Sequence, residues 1–174
     1  MKHMWEKDGY LIRLAEEKDK EAYYDENFNP LDKTVARFTG CKEEFTREEV
    51  ISFYEKCLTD DERYDFLIFS PEGKIVGDWN VRSANYRICI FKPTERGKGI
   101  GGWAVETAVR FAFEELNLHR LELDVYSFNK RAMHLYEKSG FKVEGIHRDA
   151  ILDGEEYADD ILMSILENEW NMIK

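Results

Sequence analysis

An apolar run, a glycine-rich turn and a helical stretch follow one another between Ile88 and Leu116, and that order narrows the folds open to this chain more than any other feature. The run is Ile88-Cys89-Ile90-Phe91; the turn is Arg96-Gly97-Lys98-Gly99-Ile100-Gly101; helical spacing holds from Gly99 to Leu116. Glycines let the backbone turn with no Cβ in the way, so successive N–H groups can point at one oxyanion. The helix that follows adds the positive end of its dipole. A phosphate-bearing cofactor is the expected occupant.

Spacing separates the known glycine loops. A P-loop ends in Gly-Lys-Ser/Thr, and here Lys98 precedes Gly99. Gly97, Gly99 and Gly102 do satisfy the dinucleotide pattern G-x-G-x-x-G, with Glu122 or Asp124 near the distance of a ribose-binding acid. In that fold the first glycine closes the strand directly. Lys92-Pro93-Thr94-Glu95-Arg96 intervenes here, and too few strand–helix units remain to complete a doubly wound sheet.

A third pattern fits in two places. Arg96-x-x-Gly99-x-Gly101 resembles the R/Q-x-x-G-x-G/A signature of the GNAT acyltransferase superfamily. Downstream, Asn129, Ala132, Leu135, Tyr136, Gly140 and Phe141 resemble the N-x-x-A-x-x-L-Y-x-x-x-G-F block of the same superfamily, in register with the loop. Glu144-Gly145-Ile146-His147-Arg148, Asp153-Gly154 and Tyr157-Ala158-Asp159 are similar to the branch that contains ribosomal-protein N-terminal and spermidine/spermine acetyltransferases. The likeness is sharp from Ile88 to Leu166 and faint before Ile75. It implies an α/β fold with a mixed, mainly antiparallel sheet, flanked by helices and splayed where acyl-CoA enters.

The rest of the chain is compatible with a single GNAT-type domain over residues 1–174. That length buries about two-thirds of the surface of the unfolded chain. No apolar run approaches the roughly 18 residues of a membrane span, and Met1-Lys2-His3-Met4-Trp5-Glu6 lacks the hydrophobic core of a leader. A cytoplasmic protein that does not engage membrane is therefore expected. Cys41, Cys57 and Cys89 show neither disulfide nor zinc spacing, His3, His119, His134 and His147 show no metal spacing, and no metal is expected. Cys89 is most simply a buried strand residue. A net charge of −11 disfavours nucleic acid and suits a cationic acceptor, while Lys92, Arg96 and Lys98 are a local basic exception beside the glycine loop.

Periodicity places the remaining elements. A strand is expected at Tyr10–Leu14, then helix through Tyr24 towards Phe38, broken at Asn29-Pro30. Thr46-Arg47-Glu48-Glu49 reads as a capping box, with Val50, Phe53, Tyr54 and Cys57 recurring on one helical face. Strands at Phe66–Phe69 and Ile75–Val81 meet at Pro71-Glu72-Gly73, and Tyr86–Phe91 continues the meander. Val105, Ala108, Val109, Ala112, Phe113 and Leu116 form the stripe that the helix lays on the sheet. Leu121, Leu123 and Val125 alternate along the next strand, Asn129 caps the next helix, Gly140 ends it, and Asp153-Gly154 turns a hairpin. The acidic stretch Asp153–Asp160 reads as solvated. Trp79 and Trp103 suit either a cleft wall or the core.

Acetyl transfer needs a grip on the CoA handle, a donor for the carbonyl oxygen, a neutral amine and a proton for the departing thiolate. The resemblance implies acetyl-CoA as donor, with its pantetheine arm along the backbone of Cys89, Ile90 and Phe91 and its pyrophosphate on the amides of Arg96, Gly97, Lys98, Gly99, Ile100 and Gly101. It makes Tyr136 the general acid, against a plain reading as a core aromatic one turn beyond Ala132. Asn129 is a cap on its own and, by resemblance, a contact to the pantetheine arm or to an ordered water. Asp124, five residues earlier, is the candidate base, equally readable as a solvent-facing strand carboxylate; Asp78 and Glu122 are reserves. The acceptor is a primary amine: a protein N-terminus, a polyamine or another small amine. An acyl-CoA-binding sensor or interaction module without turnover is the alternative, and the resemblance also admits a homodimer.

Overall fold

The strand and helix order follows the periodicity closely through the middle of the chain and departs from it at both ends. The computed structural model describes residues 3–174; Met1 and Lys2, part of the stretch read as lacking a leader, lie outside the described residues. The chain parts into two units. One runs to Ser83 and takes in Arg87–Ala104, and the other comprises Ala84–Tyr86 and Val105–Lys174.

In the first unit, β1 (Met4–Lys7), β2 (Tyr10–Leu14), α1 (Lys20–Asn27), α2 (Lys33–Thr39), α3 (Arg47–Leu58), β3 (Arg63–Phe69), β4 (Ile75–Arg82) and the greater part of β5 (Asn85–Ile90) follow in order. β1 pairs antiparallel with β2, β2 with β3 and β3 with β4. The Asn29-Pro30 peptide, between α1 and α2, is cis. Thr46 and Glu49 exchange the two bonds of a capping box at α3, as the spacing predicts. The apolar face of α3 is rotated from the expectation: Val50, Ile51 and Tyr54 are buried, whereas Phe53 is 55% exposed with the Arg63 guanidinium 5.5 Å from its ring. A partner cation on an exposed ring accounts for an aromatic there.

The two faces of this sheet carry separate apolar layers. Leu67, Ile75 and Phe91 pack with Tyr23, Val35, Val50 and Tyr54 from the helices and with Leu31 from the connection between α1 and α2. On the opposite side Trp79 stacks on Phe66, with ring centroids 4.1 Å apart, and Trp5 closes over both. Trp79 is therefore core, and Trp103 is partly exposed.

α4 (Ile100–Arg110) begins one residue after Gly99, whose carbonyl accepts from Trp103 N at 3.1 Å. The helix widens into a π-helical turn at Phe111–Glu115. The expected stripe is buried from Val105 to Phe113, while Leu116 is only partly so. The wider turn slips the 3.6-residue register and adds Phe111, so three successive residues, Phe111, Ala112 and Phe113, are buried.

The second unit continues with β6 (Arg120–Tyr126), α5 (Lys130–Lys138), β7 (Lys142–Asp153), β8 (Glu156–Leu166) and α6 (Glu167–Ile173). β8 pairs antiparallel with both β6 and β7, and the first residue of β5 pairs parallel with β6, Asn85 with Glu122. The hydrogen-bonded strand order is β1-β2-β3-β4-β5-β6-β8-β7, a mixed, mostly antiparallel arrangement. Leu121, Leu123 and Val125 are buried and Asp124 is exposed, as alternation requires. The hairpin turns at Gly154 with φ 69°. α6, which the periodicity does not announce, buries Trp170 against Phe113 at 5.3 Å.

Candidate active site

The glycine loop lies on the surface of the first unit, between the end of β5 and the start of α4. Gly97 and Gly99 take φ of 85° and 82°, which side chains rarely adopt. A Cβ at Gly99 would meet nothing within 4 Å, so the residue is there for its backbone angle rather than for space. The first amides of α4 point out of the helix end with no intrahelical acceptor. Left-handed glycines leading into a helix N-terminus are the backbone arrangement that suits a diphosphate.

The cations beside this loop are tied to partners in the same unit. Arg96 donates through Nη2 to Asp32 Oδ1 at 2.8 Å, and to the carbonyls of Ile90 and Phe91 at 3.2 Å each. Asp32 also caps α2, accepting from Val35 N at 3.3 Å. Desolvation pushes the Asp32 carboxyl up, but the Arg96 guanidinium outweighs it and holds the group below the usual range. Lys98 reaches both oxygens of Glu95, at 3.0 and 3.1 Å, and Tyr10 OH donates to the same carboxylate at 2.5 Å. Lys92 donates to Glu26 O. Arg96 therefore clamps the end of β5, and the loop amides are left as the principal donors for an anion.

β5 itself is held close to β4. Phe91 N–H donates to Val76 O at 2.9 Å, and a Cβ on Gly77 would lie 2.7 Å from Cys89 O. Cys89 is half-buried rather than fully buried, and burial pushes its thiol well above the ordinary range. Ile90 is likewise partly accessible, whereas Phe91 is 4% exposed in the helix-side core.

One acid on β4 stands apart. Asp78 lies within the apolar run Ile75–Val81, keeps some accessible surface though packed round by protein, and accepts from Tyr23 OH at 2.6 Å. Desolvation raises its carboxyl to about 7, against the opposing pull of the Tyr23 hydrogen bond, with the charge of Asp65 adding to the rise. A carboxylate inside an apolar strand is a signal available in sequence; its tyrosine, 55 residues away on α1, is not.

In the second unit, Asn129 accepts from Ala132 N at 3.2 Å and so caps α5. Tyr136, two turns along, is 7% exposed with its ring 5.9 Å from that of Phe141. Asp124 stands exposed on β6. The structure thus brings Cys89–Phe91 and the loop together in one unit, and Asp124, Asn129 and Tyr136 together along β6 and α5 in the other. Among the described residues no group of three or more His, Cys, Asp or Glu side chains is placed to hold a metal ion, and no helix is long and apolar enough to cross a membrane.

The chain and its fold have counterparts among known proteins. Residues 10–142 match the family described as acetyltransferase (GNAT) domain. An uncharacterized N-acetyltransferase of Bacillus subtilis is 29% identical over 166 residues, covering 92% of this chain and 95% of the relative. Spermidine N(1)-acetyltransferase of Escherichia coli is 35% identical over 130 residues, covering 70% and 68%. Among solved structures, spermidine N-acetyltransferase from Vibrio cholerae in complex with CoA and spermine superimposes with a TM-score of 0.82 at 22% identity, covering 95% of this chain and 99% of that one.

Proposed function

Because this chain belongs to the acetyltransferase (GNAT) domain family, we propose that it carries acetyl from acetyl-CoA directly onto the primary amine of a small cationic acceptor, with a polyamine as the first candidate. The observation that carries the reading is the pair of left-handed glycines, Gly97 and Gly99, leading into the head of α4, a backbone arrangement suited to holding a diphosphate. Acetyl-CoA is the acetyl donor. The pyrophosphate would rest on residues 96–101, and the pantetheine arm along Cys89, Ile90 and Phe91 and against Asn129. A net charge of −11 favours a cationic acceptor over nucleic acid. Spermidine is the substrate for which the Escherichia coli relative is named.

On this reading residues 1–174 work as one catalytic domain in the cytoplasm, opening beside β5 to admit the thioester. Tyr136 gives its phenolic proton to the departing thiolate. Resemblance alone would give the base role to Asp124, which, exposed on β6, would work through water. Exposed Val143, Ile146, Leu152 and Tyr157 along the β7–β8 hairpin support a homodimer. A sensor without turnover is not favoured, since binding alone has no use for a buried proton donor.

The test is release of free thiol from acetyl-CoA across polyamines, short peptides with varied N-termini and other small amines. Release with polyamines supports the reading. Release with another class alone corrects the acceptor, and none with any amine overturns it.

A further inference from the structure

Asp78 is a recessed acid on β4 beside β5, and the reaction as set out above leaves it without a task. Its strand is flanked by β3, where Leu67 is its register partner, and by β5, in the register set by Phe91 N–H on Val76 O. The titratable groups around it are Tyr23 of α1, Cys57 of α3, Arg63 and Asp65 of β3, and Cys89 of β5. Arg63 is engaged by Asp65, at 2.7 and 2.8 Å. Burial raises the thiol of Cys57 to about 11, and it raises Cys89 and the Tyr23 phenol well above their usual values. These three stay neutral at physiological pH, so the groups around Asp78 are neutral donors and one closed ion pair. Asp78 and Cys89 both retain accessible surface, and the backbone beside Cys89 is the stretch on which the thioester arm is proposed to lie.

We propose that Asp78 is the group that takes the proton from the acceptor ammonium, with Tyr23 positioning its carboxylate; the assignment rests on the acetyl-transfer reading above. The ammonium gives one proton to Asp78. The freed nitrogen lone pair bonds to the thioester carbonyl carbon, the C–S bond breaks with its electron pair on sulfur, and the thiolate takes a proton from Tyr136. The second proton that nitrogen loses as the amide forms restores Tyr136 through solvent, and Asp78 returns its own proton to water. A recessed carboxylate suits this task better than exposed Asp124. The recess brings ammonium and base together without bulk water, and it places the base near neutrality, where proton transfer is most efficient.

The experiment compares pH–rate profiles at saturating acetyl-CoA for the wild type, Asp78→Asn, Asp124→Asn and Tyr23→Phe, with an alkyl amine and with a hydrazide that is already neutral at pH 7. The expected result is a loss on the order of 100-fold in kcat for Asp78→Asn with the alkyl amine. Acetyl-CoA affinity should be unchanged, the rising acidic limb should vanish, and the hydrazide should recover most of the loss. Tyr23→Phe removes a bond that favours the charged carboxylate, so its acidic limb should move to higher pH with the plateau retained; this variant decides the matter if Asp78→Asn does not fold. An unchanged limb in the Asp78 or Tyr23 variant, or loss of the limb in Asp124→Asn instead, overturns the assignment and leaves acetyl transfer standing. A wild type that binds acetyl-CoA yet acetylates no amine overturns both.

Discussion

Asp32 holds two structures at once: its Oδ1 accepts from Val35 N at the head of α2 and from Arg96 Nη2 at the end of β5. The carboxylate thereby couples a helix near the N-terminus to the entry of the glycine loop, 64 residues away. Asp32→Ala removes a cap and leaves Arg96 without its anion. A loss of about 1–2 kcal/mol in urea unfolding is expected, together with weaker acetyl-CoA binding by calorimetry. Asp32→Asn should keep the cap and lose the binding. Intact affinity in both variants would show that the clamp does not shape the loop.

Gly77 should tolerate no side chain. Its Cβ would meet Cys89 O at 2.7 Å and the Ile90 Cδ1 at 3.0 Å, and a backbone carbonyl cannot swing aside. Gly77→Ala is expected to push β5 outward, to cost about 1–3 kcal/mol, and to lower acetyl-CoA affinity. Gly99→Ala, with open space around it, should pay only for its φ of 82°, about 1 kcal/mol. A smaller loss of stability in Gly77→Ala than in Gly99→Ala would contradict the packing argument.

Tyr136→Phe keeps the ring against Phe141 and removes the phenol. Turnover should fall about 100-fold or more while acetyl-CoA affinity and melting temperature hold. Unchanged turnover would reduce Tyr136 to a core residue.

Stability should decline as pH rises from about 4 towards 7. Folded Asp78 keeps its proton up to about pH 7, whereas an unfolded carboxyl releases it near 4. Between those values the folded state binds more protons, so its advantage is full below the window and lost above it. Solvent reaching the recess keeps the effect below the roughly 4 kcal/mol of a fully dry site. Urea midpoints at pH 4.5 and 8 should differ less in Asp78→Asn than in the wild type; an equal difference would exclude this carboxyl as the source.

What was legible in the sequence is what depends on near neighbours. The Thr46–Glu49 capping box, the Asn129 cap, the Gly154 turn and the alternation of Leu121, Leu123 and Val125 each rest on residues a few positions apart, and each stands where spacing puts it. The glycine loop and the block at Asn129–Phe141 were visible for the same reason. What stayed hidden depends on distant parts of the chain. Nothing local ties Asp32 to Arg96 or Tyr23 to Asp78, and Phe53 looks like core until Arg63 is seen over it. β1 is short and mostly exposed, so it carries no strong apolar alternation. The π-helical turn moved Phe111 into the core by breaking the period on which the stripe was counted.

Lys92, Arg96 and Lys98, each matched to an acceptor of the protein's own, leave the mouth of the loop closer to electrical neutrality than its composition suggests. Recognition there then falls to directed N–H groups held at fixed angles. Such a surface discriminates by the shape of the anion rather than by its charge. It should therefore hold a diphosphate with little sensitivity to salt and pass over the many other polyanions that a cluster of unpaired cations would collect.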